Sequence, residues 1–131
     1  MGRSGFIKRA IVALAVFSVV SLTGCGASLS HQKLSMEEAQ KQIEAGTDYL
    51  IVDVRTKKEY DEGHIPGAVL VPIEDIREGK LDALPDKNQK IMVYCWTGRR
   101  SEDAAAMLIE DGYTAICDIG GFVDWRGKTE K

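Results

Sequence analysis

Four short apolar runs separated by helix-like stretches constrain this chain more than any other feature. They are Leu50-Ile51-Val52, Ala68-Val69-Leu70-Val71, Ile91-Met92-Val93-Tyr94 and Tyr113 to Cys117. Each is too short for a helix and, apart from Thr114, unbroken by polar residues, as expected of strands buried on both faces. Helical spacing fills the intervals. Ser35 and Glu38 form a capping box ahead of Met36, Ala39 and Ile43, and Gly46 supplies a stop. Thr56 to Glu62 and Ile73 to Glu78 read as short helices, and Ile65-Pro66-Gly67 as a turn. Ser101 reads as the cap of a helix to Asp111, with Ala104, Ala105, Leu108 and Ile109 on one face and Gly112 ending it. Phe122 to Trp125 closes the chain as a further short helix. Strands alternating with helices predict an α/β fold with a mainly parallel sheet. Ligands in such sheets sit beyond the carboxyl ends of the strands, which directs attention to the residues after Val52, Val71, Tyr94 and Cys117.

Composition agrees with one small domain. The chain has 131 residues, 44% of them hydrophobic and 28% charged, which is too short for two domains and too apolar for disorder. Three cysteines exclude a disulfide scaffold. A net charge of -3 and 7% aromatic residues, with no basic and aromatic interleaving, exclude a nucleic-acid binder.

The first 24 residues stand apart. Arg3, Lys8 and Arg9 precede an apolar run from Ala10 to Val20, and no acid occurs before Cys25. A basic segment followed by a short apolar one reads as a secretory signal, because a spanning helix needs about 20 apolar residues. Leu22-Thr23-Gly24-Cys25 resembles the bacterial lipobox. That resemblance implies cleavage before Cys25, a diacylglycerol thioether on its sulfur and acylation of its new amino group, for example by palmitate. Two or more acyl chains suffice for stable membrane anchoring. An ordinary signal peptide is the alternative. The chain then divides into a signal peptide (1–24), a lipidated tether (25–33) and a domain (34–131). Gly26 after the cysteine implies an extracytoplasmic lipoprotein, on the outer membrane facing the periplasm in a Gram-negative cell. Loss of the leader makes the remaining chain more acidic than the whole, so attraction for an anion must be local.

The chemistry points to one loop. Cys95-Trp96-Thr97-Gly98-Arg99-Arg100-Ser101 lies between an apolar strand and a helix start. Converging loop amides, the helix dipole and two arginines favour a thiolate, so Cys95 is expected ionised at neutral pH and open at the lip of its strand. An inert buried cysteine is the alternative. Cys117 reads as a buried inert thiol, although an oxidising compartment permits a bridge to Cys95. Arg55 with Glu59 reads as an ion pair fixing its segment, Asp53 as a support for the Cys95 loop, and His64 as a structural turn residue.

Four blocks together resemble the single-domain rhodanese family of sulfurtransferases. They are Ile51-Val52-Asp53-Val54-Arg55; Glu59-Tyr60 with Gly63-His64-Ile65-Pro66-Gly67-Ala68; Cys95-x-x-Gly98-x-Arg100-Ser101; and Gly120-Gly121-Phe122 with Trp125. The resemblance runs from about Leu34 to Arg126. It implies a twisted, mainly parallel sheet with helices on both faces, and a cysteine that becomes a persulfide. Cys95 would be the nucleophile and Arg100 the loop arginine that orients the loop or meets an anionic donor. Trp96, Thr97, Gly98, Arg99 and Ser101 would form the substrate-binding cradle, with Asp53 and Arg55 in support. The expected donor is a small sulfur-containing anion, thiosulfate or a polysulfide or persulfide, and the acceptor a thiol or cyanide. No metal, other cofactor or nucleic acid is expected, and a monomer is favoured. A sulfur carrier or docking module without turnover is the second reading. Phosphatases and arsenate reductases of a related fold have a loop one residue longer, with arginine six positions after the cysteine; here Ser101 stands sixth. Gly98 stands where a thioredoxin-type C-x-x-C would place its second cysteine.

Overall fold

The computed structural model describes residues 31–131. The signal segment, Cys25 and tether residues 26–30 lie outside the described residues. In chain order the elements are β1 (Gln32–Lys33), α1 (Met36–Glu44), β2 (Leu50–Asp53), α2 (Lys57–Glu62), β3 (Val69–Leu70), α3 (Ile73–Arg77), β4 (Ile91–Cys95), α4 (Arg99–Glu110) and β5 (Ile116–Gly121), followed by a 3₁₀ turn, Phe122–Asp124. The five strands form one sheet in the order β1-β5-β4-β2-β3, with every pairing parallel.

Period-two alternation divides the core between two faces. Ile91, Val93 and Cys95 of β4 pack with Val52, Val54, Ile73, Ile76, Ala104, Ala105 and Leu108, under α3 and α4. Met92 and Tyr94 pack on the other face with Met36, Ala39, Ile51, Cys117, Ile119 and Trp125, under α1 and the 3₁₀ turn. Helices therefore cover both faces, and the central strand β4 is buried along its whole length.

Local chemistry places the elements. Ser35 and Glu38 make the expected capping box at α1, and Thr56 and Glu59 make a second at α2. Four boundaries differ from expectation. The run Ala68–Val71 pairs only through Val69–Leu70, at the sheet edge, where both residues are half-buried. The last strand begins at Ile116, not Tyr113, because the Tyr113 and Thr114 N–H groups donate to the Leu108 and Lys87 carbonyls rather than into the sheet. Gln32–Lys33, read as the end of the tether, adds an edge strand on β5. Ser101 does not cap α4: Gly98 does, with φ 99°, and Ser101 is buried in the first turn. A positive φ suits glycine, so the chain turns sharply at Gly98 and enters the helix three residues earlier than expected.

Candidate active site

β4 ends at Cys95 and α4 begins at Arg99, so Trp96, Thr97 and Gly98 carry the turn between them. The Gly98 backbone N–H donates to Cys95 Sγ at 3.0 Å. The thiol is nevertheless not open at the strand's lip. Cys95 is fully buried, because its side chain points to the α4 face and the loop folds over it.

Two glycines of β5 let the loop settle this low. A Cβ on Gly121 would stand 2.6 Å from the Trp96 carbonyl oxygen and 2.8 Å from the Thr97 carbonyl carbon, both backbone atoms. The Val123 N–H donates to the same Trp96 carbonyl at 3.1 Å. A Cβ on Gly98 would meet Gly120 Cα at 3.2 Å. Beneath the loop, the Ser101 hydroxyl donates to Asp118 Oδ1 at 2.7 Å, and the Gly120 N–H donates to the same oxygen at 3.0 Å. Asp118 thus ties the start of α4 to the end of β5.

The arginines are distributed differently from the sequence reading. Glu59 does not pair with Arg55. It takes two hydrogen bonds from the Arg100 guanidinium, at 2.8 and 3.0 Å. Arg100 holds the Glu59 carboxyl down to about 2, against an opposing effect of burial. Glu59 in turn raises the Arg100 pKa, with burial opposing and the Cys95 sulfur adding to the rise. Arg55 pairs instead with Asp53, through Nε at 3.0 Å to Oδ1 and Nη2 at 2.7 Å to Oδ2, and donates to the Gly63 carbonyl at 2.7 Å. Both side chains are buried, since the turn after β2 brings Arg55 back onto its own strand end. Burial works against the Arg55 charge, but Asp53 outweighs it and the pKa rises. The Tyr94 hydroxyl donates to Asp53 at 2.8 Å and accepts from the Ile65 N–H at 3.1 Å. Burial, with Asp53 beside it, pushes the Tyr94 pKa far up, so the phenol stays protonated. Asp53 therefore supports the end of β4 through Tyr94, rather than touching the loop.

Arg99 is exposed and, among the described residues, makes no ion pair. Trp96 is 46% exposed, with its ring centroid 6.0 Å from that of Phe122. Phe122 lies over the Arg55 guanidinium at 4.5 Å. A cavity of about 450 Å³ opens beside the loop, lined by Arg55, Glu59, Glu62, Gly63, Trp96 and Phe122. His64 stacks on Tyr60, centroids 3.7 Å apart, with Nδ1 2.9 Å from the Tyr60 carbonyl, which satisfies it as a turn residue.

Cys117 lies on the opposite face of the sheet from Cys95. It pairs in register with Met92, while Cys95 pairs with Gly121. Three residues of strand separate them, roughly 10 Å, beyond the span of a disulfide. Burial and the neighbouring Asp118 push the Cys117 thiol up to about 11, as befits an inert core cysteine.

Sequence reasoning missed Glu59 as the partner of Arg100 and Asp118 as the partner of Ser101. The first had no local signal, since 41 residues separate the pair. The second had one: an acid flanked by Ile116, Cys117 and Ile119 needs a buried donor.

The chain matches the rhodanese-like domain over residues 35–128. It is 40% identical over 73 residues to "Thiosulfate sulfurtransferase PspE" of Escherichia coli, covering 56% of this chain and 70% of that protein. It is 34% identical over 99 residues to "Putative sulfur carrier protein YrkF" of Bacillus subtilis, covering 75% of this chain and about half (52%) of that protein. Among solved structures, "rhodanese with anions from E. coli" superposes with a TM-score of 0.58 at 36% identity, covering 63% of this chain and 98% of that one.

Proposed function

The chain belongs to the rhodanese-like domain family, and from that premise we propose that it is a sulfurtransferase working through a persulfide on Cys95. The donor is a small anion with a sulfane sulfur, thiosulfate or a polysulfide or persulfide. The Cys95 thiolate attacks that sulfur, the donor's S–S bond breaks, and its remainder departs with the electron pair. A thiol or cyanide then attacks the outer sulfur and releases Cys95 as thiolate. The two halves make a ping-pong cycle. The carrying observation is the Gly98 N–H directed at Sγ from 3.0 Å, in a loop whose Arg100 is fixed by Glu59. A fixed backbone donor stabilises an anionic sulfur without reorganising at each turnover.

The other loop residues have roles that follow from their positions. Arg99 is the loop cation free to meet the donor's charge, while Arg100 is committed to Glu59. Ser101 and Gly98 fix the cradle's shape. Trp96 and Thr97, both exposed, form its outer wall. Asp53 and Arg55 act at a distance, by holding the ends of β2 and β4.

We further propose that the domain is lipid-anchored through Cys25 on the outer side of a bacterial membrane. Leu22-Thr23-Gly24-Cys25 after a basic and apolar leader supports this. Labelling of the full-length protein with a fatty-acid analogue, lost in Cys25→Ala, tests it.

The similarity to "Putative sulfur carrier protein YrkF" of Bacillus subtilis supports a second reading, in which the domain carries sulfur without turnover. Steady-state transfer from thiosulfate to cyanide separates the two. The enzyme gives a sustained rate proportional to protein; the carrier gives one stoichiometric burst. Cys95→Ser abolishes both signals. Full activity in that variant overturns the proposal.

A further inference from the structure

The cavity beside the Cys95 loop is larger than cyanide or a bare sulfur anion requires, and falls in the size range of pockets that hold organic ligands. Its charges are mostly spent. Arg55 is buried against Asp53 and covered by Phe122. Arg100 and Glu59 neutralise each other through two hydrogen bonds. Glu62, at the end of α2, is exposed and among the described residues makes no ion pair. It is the one carboxylate of the cavity wall left without a counter-charge. Trp96 lines the same cavity and is exposed. A carboxylate and an indole face are the two groups that favour an organic ammonium, the first by charge and the second by its quadrupole.

We propose that this cavity selects sulfur acceptors that are thiols bearing an ammonium group, with Glu62 and Trp96 as the specificity residues. The proposal rests on the sulfurtransferase reading above. The acceptor thiolate attacks the outer sulfur of the Cys95 persulfide. The bond between that sulfur and Cys95 Sγ breaks, a new S–S bond joins it to the acceptor, and the electron pair stays on Cys95 as thiolate. One S–S bond replaces another, so no outside oxidant or reductant is needed. Donor and acceptor are then recognised by opposite charges: an anion by exposed Arg99 on the loop, an ammonium by Glu62 in the cavity.

The test loads Cys95 with inorganic polysulfide and follows loss of the added sulfur by intact mass. The probes are cysteamine, 2-mercaptoethanol and 3-mercaptopropionate, which are cationic, neutral and anionic. Intrinsic thiol reactivity cancels when each rate ratio is compared between variant and wild type. Glu62→Gln is expected to lower the cysteamine-to-mercaptoethanol ratio by about two- to fivefold, the range of an exposed charge pair. Glu62→Lys shifts preference toward mercaptopropionate, and Trp96→Leu also lowers the cysteamine ratio. Added salt lowers that ratio in the wild type but leaves it unchanged in Glu62→Gln. Equal ratios in wild type, Glu62→Gln and Glu62→Lys overturn the acceptor proposal while leaving sulfur transfer intact. Failure of Cys95 to load at all overturns both.

Discussion

At the scale of single residues, the site is defined by what each charge is tied to. The Glu59 carboxyl is held at about 2, below its ordinary 4.5, by Arg100. A carboxyl lowered on folding contributes stability that is present above its unfolded value and lost as pH falls toward the folded one. Acid titration of stability should therefore show a decline between about pH 4.5 and 2 that Glu59→Gln removes, worth about 1 kcal/mol once screening by water is counted. Urea unfolding at pH 7 and pH 3 checks this; an identical pH dependence in the two proteins contradicts it. Gly121 makes a different kind of prediction. Its φ of -108° is open to any residue, so the cost of a side chain there is purely steric. Gly121→Ala drives a methyl against the Trp96 and Thr97 backbone, and should destabilise by about 1–3 kcal/mol and reduce sulfur transfer at the same time. Wild-type turnover in Gly121→Ala would show that the loop does not depend on that contact.

Among the elements, β2 and β4 meet in a buried network of Asp53, Arg55 and Tyr94. Removing one member strands the others without water. Asp53→Ala should cost about 3–5 kcal/mol, as expected for breaking a buried ion pair, and Tyr94→Phe about 1–3 kcal/mol for the donor and acceptor it leaves unpaired. Denaturant unfolding of both variants gives the comparison, and the account requires the first loss to be the larger. The same elements show how far sequence carries. Apolar runs disclosed β2 and β4, because a strand buried on both faces leaves no other pattern. They misplaced the ends of β3 and the start of β5, because an apolar run does not reveal whether its residues pair in a ladder or, like Tyr113, bond their backbone elsewhere and pack into the core. The loop from Cys95 to Ser101 was legible from its glycine, arginines and serine. Its partner Glu59 was not, since it reaches the loop only through the order in which the strands assemble; Asp118 showed as a buried acid in an apolar run, but not as the partner of Ser101. Burial of Cys95 was equally hidden: it follows from the depth at which Gly120 and Gly121 let the loop sit.

For the whole molecule, one parallel sheet separates two cores and so gives its two described cysteines different fates. Cys95 lies under the loop at the ligand end of β4, and Cys117 under α1 on the far face. Oxidising conditions should leave the folded domain without an intramolecular bridge between them, seen as an unchanged intact mass in non-reducing buffer. The chain end also belongs to the fold. His64 and Glu130 exchange two backbone hydrogen bonds of 2.9 Å, and the Trp125 indole donates to the Lys128 carbonyl. On the proposed function, this framework serves the transfer of one sulfur atom through Cys95. Intact-mass analysis of the purified protein after exposure to polysulfide, followed by peptide mapping, measures that role most directly. The account predicts a gain of about 32 Da, one sulfur atom, on Cys95 alone, absent in Cys95→Ser and discharged by an added thiol. No gain at Cys95, or a gain carried by Cys117 instead, would contradict it.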